Sequence, residues 1–254
     1  MSPGRATGRR SATSGRRCQR GQTLHPPRAR GLHTSEIGRL IDRVAADALA
    51  APLKAAGYRR DGRTWRCRVG DSVQVLQVQA SQSNVGADGR FLLNAGVYFP
   101  ALAARLGLFP PTNAPLEMDC HVRIRPMPPG RSWWKVRAAR VATSDQEAGR
   151  VLGAVFSWLD RWADRRAPRT NARATQELRQ ALERYALPWL ERLTDLPRVR
   201  DELERQGPLW WAAAASLELG EPAAAARLFA RALATAPAKA EHLRRWGRAN
   251  GLEA

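Results

Sequence analysis

Hydrophobic positions follow a helical period at both ends of the chain and a strand-like pattern between them. From residue 35 to 56, apolar side chains recur three and four positions apart, and Thr34 or Ser35 supplies an N-cap. This pattern predicts an amphipathic helix that is bent or broken near Pro52. Beyond about residue 170 the helical period returns, so helices alone are predicted there.

Five short runs between these regions are rich in valine and aromatic residues and are separated by turn-forming residues, which is typical of strands. They are TWRCRV (64–69), VQVLQVQAS (73–81), FLLNAGVYF (91–99), CHVRIRP (120–126) and SWWKVR (132–137). Gly70 and Asp71 give a tight connection between the first two runs. Successive hairpins of this kind predict an antiparallel sheet.

Polar side chains interrupt two of the predicted strands. In the third run, Asn94 and Tyr98 share one face. In the second run the apolar pattern shifts by one residue, which indicates either a bulge or a strand buried on both faces. Gln77 and Gln79 then lie near Asn94 and Tyr98, so this partly polar face is a candidate surface for interaction.

A second helix is predicted to begin at SDQE (144–147), whose first and fourth residues fit a capping box. Its apolar stripe should cover the sheet and consists of Val151, Leu152, Val155, Phe156, Leu159 and Trp162. RRAPR (165–169) is predicted to be a linker. Farther on, Gly220 marks the turn between two helices whose residues are spaced as in one tetratricopeptide unit. A single unit favours a helical hairpin docked on its neighbours over a solenoid.

Together these elements predict an α+β fold, with an antiparallel sheet of about five strands flanked by two helices and followed by an all-α subdomain. The α+β domain is predicted over residues 35–165 and the helical subdomain over residues 170–254. The length of 254 residues exceeds the roughly 100 to 200 residues of a usual single domain, which agrees with this division.

Charge changes this picture mainly at the N-terminus. The chain carries 42 Lys and Arg against 23 Asp and Glu, a net charge of +19. Residues 1–33 contain eight arginines, no acid and many Gly, Ser, Thr and Pro residues, a composition typical of a disordered basic arm. Two origins stay open: a natural arm, or an upstream extension of a chain that starts at Leu32. The remaining positive excess favours polyanionic partners.

Several kinds of chemistry have no support in the sequence. No apolar run approaches the roughly 20 residues of a membrane span, so the cytoplasm is the expected location. Cys18, Cys67 and Cys120 lack the CxxC spacing of a zinc site or redox pair. The common nucleotide-binding, hydrolase and zinc-protease motifs do not occur. We therefore expect no cofactor and no metal, and catalysis is not favoured.

Five separated segments carry a pattern of glycine, aromatic and polar residues in a fixed order. They are Gly57-Tyr58-Arg59, Gly62-Arg63-Thr64-Trp65, Val73 to Gln79, Asn94-Ala95-Gly96-Val97-Tyr98 and Cys120-His121-Val122-Arg123. This pattern resembles the bacterial domain-of-unknown-function family 4304 over about residues 35–165. The resemblance implies an α+β domain without an assigned activity, and it supplies no catalytic residues. Ala80 stands where the family pattern has a basic residue.

His121 and Arg123 are the first candidate site for chemistry. Strand alternation would place Cys120 and Val122 on one face and His121 and Arg123 on the other. The thiol and the imidazole then diverge, which favours a structural hydrogen bond for His121 over catalysis.

An arginine cluster is the second candidate, as an anion-binding surface. It consists of Arg59, Arg60, Arg63, Arg66 and Arg68, with Tyr58 and Trp65 interleaved. Arginines among aromatic rings grip the backbone and bases of nucleic acids. A solvated sheet face is the simpler interpretation.

Two tryptophan pairs complete the candidates. The rings of adjacent residues cannot share one direction, so one member of Trp133-Trp134 and one of Trp210-Trp211 is predicted to be in the core, with the other partly exposed or at an interface. Trp210 and Trp211 begin the helical hairpin and join the candidate interaction surface.

Three hypotheses for function follow. The most favoured is a non-catalytic module that binds another protein through the Gln77, Gln79, Asn94 and Tyr98 face or through the helical hairpin. The second is nonspecific nucleic-acid binding through the arginines. The third is an enzyme of unknown type that uses His121, which a buried ring bonded to the backbone would contradict.

Overall fold

A computed structural model describes residues 36–84, 87–108, 110–138 and 153–252, with side chains described for all of these except 153–165. The basic arm, the capping box at 144–147 and the apolar stripe at 151–162 therefore fall outside the residues or side chains described. Within the described ranges the fold is α+β with an antiparallel sheet and C-terminal helices, as predicted.

The elements follow one another in a simple order. The strands are β1 (Arg59–Asp61), β2 (Thr64–Val69), β3 (Ser72–Ala80), β4 (Asp88–Tyr98), β5 (Val122–Ile124) and β6 (Trp134–Arg137). The helices are α1 (Glu36–Ala55), α2 (Pro100–Leu106), α3 (Gly153–Ala181), α4 (Leu187–Arg192), α5 (Leu196–Gln206), α6 (Leu209–Glu218), α7 (Pro222–Thr235) and α8 (Ala240–Ala249). A π-helical turn (Leu182–Ala186) joins α3 to α4, and short 3₁₀ turns lie at Glu117–Asp119 and Pro237–Lys239.

The sheet has six strands in the described part of the chain, one more than predicted. Strands β1 to β4 pair in sequence order, and the long β4 then pairs with β5 along one half and with β6 along the other. The additional strand, β1, is three charged residues long and has no strand-like pattern. Register between β3 and β4 is continuous, with Val73 opposite Tyr98 and Ala80 opposite Phe91. There is consequently no bulge between β3 and β4, and β3 is buried on both faces from Ser72 to Leu76.

One side of the sheet, here called the helix face, holds most of the core. Phe91, Leu93 and Val97 of β4 lie on it beside Leu76 of β3, and all are buried with the apolar stripe of α1. The approach of α1 is close at Gly89, where a Cβ atom would lie 2.4 Å from Cγ2 of Ile37. The amphipathic pattern of α1 therefore predicts its position correctly.

Pro52 does not break α1, which continues three residues beyond it. Proline has no N–H to donate to the carbonyl four residues earlier, that of Ala48. Arg179 of α3 supplies this donor instead, from Nε to the oxygen of Ala48 at 3.4 Å and from Nη2 to that of Asp47 at 2.6 Å. A tertiary contact thus completes the helix where local sequence predicts a break.

The predicted linker at 165–169 is also wrong, because α3 runs through it with Pro168 inside the helix. Ala167 is buried there, and Asn171 holds the adjoining turn against the sheet. The Asn171 amide accepts from the backbone N–H of Arg137 and donates to its carbonyl, each at 2.9 Å. These bonds close the outer edge of β6, so packing against the sheet keeps this stretch helical.

The C-terminal helices share one core with the helix face. Helices α6 and α7 form the predicted hairpin with its turn at Gly220, and Ala225 and Phe229 of α7 are buried. A buried polar bridge joins sheet and helices, since Gln74 accepts from the Tyr58 hydroxyl at 2.6 Å and donates to the carbonyl of Leu190 at 2.8 Å. None of the helices in the described ranges is long and apolar enough to cross a membrane.

Candidate functional site

The opposite side of the sheet, the loop face, is covered at one end by the segment that follows β4. Val73, Val75 and Tyr98 form a second small core there with Ala103 of α2 and Cys120. Gly96 permits this cover, because a Cβ atom on it would lie 2.6 Å from Cβ of Cys120. This covering segment, residues 99–108 and 110–121 of the described chain, therefore forms a wall at that end of the loop face.

Tyr98 lies beneath that cover and is 2% exposed. Its hydroxyl accepts a hydrogen bond from the backbone N–H of Thr112 at 3.0 Å. Its ring stacks on the imidazole of His121, with centroids 5.3 Å apart and planes 16° from parallel. Tyr98 is thus buried beneath this segment and does not offer an open contact surface.

His121 is buried and bonded to the backbone. Its Nδ1 accepts from the N–H of Phe99 at 3.2 Å, and burial lowers the pKa of His121 to about 4. The ring is therefore neutral near pH 7, with its proton on Nε2. This geometry contradicts the hypothesis of an enzyme that uses His121, and it agrees with the predicted structural hydrogen bond.

The predicted alternation at residues 120–123 is wrong, because β5 begins only at Val122. Cys120 belongs to the small core of the loop face, whereas Val122 belongs to the helix-face core. Burial raises the pKa of the Cys120 thiol, whose Sγ lies 3.5 Å from the carbonyl oxygen of Leu116. Arg123 is half exposed and lies 3.9 Å from Glu117.

Trp211 of α6 reaches the same place from the C-terminal hairpin. Its ring meets His121 edge to face, with centroids 5.8 Å apart, and meets Trp210 at 6.1 Å. Trp210 in turn contacts Trp246 at 5.5 Å. The Nε1 atom of Trp211 is buried and has no hydrogen-bond partner among the described residues.

The two tryptophan pairs differ in how well they match the prediction. Trp134 is fully buried and stacks on Phe91, while Trp133 is half-buried, as predicted for one core and one partly exposed ring. Trp210 and Trp211 are both half-buried, so neither is a core residue. The reason is that both rings lie at the contact between the hairpin and its neighbours.

A small cavity of about 50 Å³ lies where these aromatic residues meet. It is here called the Trp211 pocket, and its lining is Tyr98, Ala103, Leu106, Leu108, Pro110, Thr112, Met118, Asp119, His121 and Trp211. Exposed large hydrophobic side chains gather around it. Of the four in the described part of the chain, Leu108 (38%), Leu116 (39%) and Met118 (68%) lie on the covering segment, and Tyr185 lies elsewhere.

Farther along the loop face is its polar end, formed by Gln77, Gln79 and Asn94. Gln77 pairs with Asn94 in the sheet, as the sequence predicts. Asn94 is 2% exposed and donates to Oε1 of Gln79 at 2.9 Å, while its own Oδ1 has no partner among the described atoms. The six predicted interaction residues thus fall into two groups, with Tyr98 and Trp211 together at the pocket.

The arginine cluster is mostly engaged within the chain. Arg60 lies over the ring of Trp65 at 5.1 Å, Arg63 pairs with Asp42, and Arg66 pairs with Asp61 and with the carbonyl of Pro115. Only Arg59 and Arg68 remain as exposed members without such contacts in the described structure. The cluster therefore offers two free cations to an anionic ligand instead of five.

One protein-family model matches more than half of the chain. Residues 49–192 match the family model described as a domain of unknown function, DUF4304. The chain belongs to DUF4304. The DUF4304 match extends past the predicted end at 165 to the last residue of α4, and so includes Leu190, to which Gln74 bonds. No match was found among curated proteins or among solved structures.

The residues at the rim of the pocket have no recognisable pattern in the sequence. Leu108 lies in a loop and Met118 in a short 3₁₀ turn, where hydrophobic periodicity carries no signal. Met118 lies between the acidic residues Glu117 and Asp119, which is a local sign that its side chain is exposed.

Proposed function

We propose that this DUF4304 protein binds another protein, and that the Trp211 pocket with its apolar rim is the contact site. Soluble domains seldom gather large exposed apolar side chains in one place, and where they do, the patch commonly marks a protein interface. The observation that carries the proposal is the position of Leu108 and Met118 around a pocket floored by Tyr98, His121 and Trp211.

The chemistry of the pocket defines the partner segment. At about 50 Å³ the cavity is under twice the ~30 Å³ that a water molecule occupies in the liquid, so it holds one short apolar side chain. Trp211 lines this cavity and its buried N–H has no acceptor among the described residues, so the proposed partner segment gives it one in a backbone carbonyl. A buried donor left without an acceptor costs about 1–3 kcal/mol, so a partner that supplies one gains affinity and specificity.

Site-specific photocrosslinking tests the location. A benzophenone amino acid is placed at Met118 and, as the matched control, at Tyr185, the exposed large apolar residue outside the patch. We expect a discrete protein adduct in native cells from position 118 and none from position 185. Equal labelling at both positions, or none at 118, contradicts the proposal.

Purified components then test the chemistry. Met118→Asp should weaken binding of the crosslinked partner at least tenfold, while Tyr185→Asp leaves it within twofold. Trp211→Phe keeps a ring and removes the unpaired N–H, so it should weaken partner binding several-fold without lowering the melting temperature of the free protein. Unchanged binding by both Met118→Asp and Trp211→Phe excludes this pocket as the contact.

A further inference from the structure

A second concave site lies away from the Trp211 pocket, between α3 and the edge of the sheet formed by β4 and β6. It has a volume of about 490 Å³, within the 300–1,000 Å³ usual for small-ligand sites. Its lining includes four cations, one carboxylate and one tryptophan: Arg90, Arg131, Lys135, Arg173, Glu177 and Trp133. The lining therefore carries an excess of three positive charges.

The single carboxylate in this groove is already occupied. Glu177 accepts from Nε of Arg173 at 2.8 Å through one oxygen and from Arg131 through the other. Both guanidinium groups keep further N–H donors, which are free to bind an anion. Glu177 thus holds Arg131 and Arg173 at the groove, and its negative charge does not neutralise Arg90 or Lys135.

Arg90 and Lys135 face each other directly across the β4–β6 pair, and both are exposed. Like charges directly opposite in a sheet repel. The nearest acid along the strand, Asp88, is held by the bidentate guanidinium of Arg137, which chiefly lowers its pKa; Arg90 and Lys135 contribute less. A bound anion would relieve the repulsion between Arg90 and Lys135.

Trp133 gives the groove an aromatic surface. Among the tryptophans whose side chains the structure describes, it alone has no ring contact, no cation over its ring and no hydrogen bond, and it is half-buried at the groove wall. Each of the others contacts another ring, as Trp134 does Phe91, lies under a cation, as Trp65 does under Arg60, or makes a hydrogen bond, as Trp189 does to Glu202. An unused indole face beside cations is the arrangement that receives a nucleobase together with its phosphate.

We infer that this groove binds a nucleotide, with its phosphate between Arg90 and Lys135 and its base on Trp133. The same chemistry is offered by a free mononucleotide and by one residue of a single-stranded nucleic acid. The site differs from the arginine cluster of β1 and β2, most of whose members are engaged within the chain. It also uses no residue of the Trp211 pocket, so nucleotide binding here can be tested independently of the proposed protein contact.

Binding measurements on the full-length chain test this inference with two probes. Adenosine monophosphate is titrated by calorimetry, and a fluorescein-labelled 12-nucleotide single strand by anisotropy at low and physiological salt. Saturable binding of the mononucleotide shows that a free nucleotide is a sufficient ligand. Binding of the 12-nucleotide strand without binding of the mononucleotide shows that the ligand is a nucleic acid. Binding of neither probe overturns the inference.

Matched variants locate the site. For the probe that binds, Arg90→Gln with Lys135→Gln should weaken affinity about tenfold, and Trp133→Leu should do so by a similar factor. The control, Arg59→Gln with Arg68→Gln, removes the same charge from exposed positions at the other edge of the sheet and should change affinity less than twofold. Any contribution of residues 1–33 is common to all variants.

Two results contradict the assignment. An equal loss of affinity in the control would mean that binding is only general electrostatic attraction. An unchanged affinity in Trp133→Leu would mean that the base does not stack on Trp133. Should Trp133→Leu fold poorly, the exposed pair Arg90→Gln and Lys135→Gln still decides the question, because neither side chain is part of the core.

Discussion

The two faces of the sheet treat the same kind of side chain in opposite ways. On the helix face, Gln74 is buried and uses both ends of its amide, one toward Tyr58 and one toward Leu190. On the loop face, only three residues farther along the same strand, Gln77 is half-buried and its neighbour Asn94 keeps a buried carbonyl oxygen without a partner. The amide of Gln74 thus serves the fold, whereas Asn94 keeps an atom that a partner could bind. The other buried polar atoms without partners in the described part of the chain are Nε1 of Trp134, Nε1 of Trp211 and Oγ of Ser216.

The largest expected effect is on the helix face, where both ends of the Gln74 amide are hydrogen-bonded. Gln74→Leu leaves the Tyr58 hydroxyl buried without its acceptor and removes one of the two donors to the Leu190 carbonyl, which keeps the Leu193 N–H, so we expect the free energy of unfolding to fall by about 2 to 3 kcal/mol. Gln77→Leu on the other face should change it by less than about 1 kcal/mol. Denaturant unfolding of both variants checks this, and equal losses would mean that the two faces do not differ.

A second prediction concerns how tightly the covering segment lies on the loop face. Gly96→Ala places a methyl group 2.6 Å from Cβ of Cys120, which cannot rotate away. Overpacking of this kind typically costs about 1–3 kcal/mol, so unfolding should occur at correspondingly lower denaturant. Gln77→Ala, at the polar end of the same face, serves as the control because Gln77 makes no side-chain hydrogen bond among the described residues, and it should lie within about 0.5 kcal/mol of the parent.

A third prediction uses the buried imidazole on the loop face. The pKa of His121 is about 4 in the folded chain and about 6.5 when unfolded, so the unfolded state takes up the proton first as pH falls. Stability is thus full above pH 6.5 and is lost as pH falls toward 4, by about 1.5 kcal/mol between pH 6.5 and 5.

His121→Asn tests the source of this pH dependence, because its amide oxygen can replace Nδ1 as acceptor for the Phe99 N–H. Unfolding curves at pH 6.5 and 5 should differ less in the variant than in the parent. An identical difference would assign the proton uptake to another group.

The smallest expected effect belongs to the hydroxyl of Tyr98. Tyr98→Phe keeps the stack on His121 and removes the acceptor for the Thr112 N–H, so it should lower the free energy of unfolding by about 1 kcal/mol. Thermal melting detects this change. No change would indicate that water replaces the hydroxyl at Thr112.

Features that follow from local sequence pattern could be predicted, and features that depend on tertiary contacts could not. The pairing of Gln77 with Asn94 follows from strand period and register, both of which are short-range. The meeting of Tyr98, His121 and Trp211 does not, because Trp211 comes from a helix 90 residues beyond His121 in the chain and no periodicity links them. The helical course of 165–169 was missed for the same reason, since contacts through Asn171 outweigh the local effect of Pro168.

The bond between Arg179 and the carbonyl of Ala48 also bears on how the chain is made. Helix α1 leaves the ribosome before its missing donor exists, because Arg179 lies 131 residues later. At translation rates of about 5 to 20 residues per second, roughly 7 to 26 s pass between their syntheses. During that interval water must solvate the carbonyl opposite Pro52, so α1 is completed only long after its own residues have emerged.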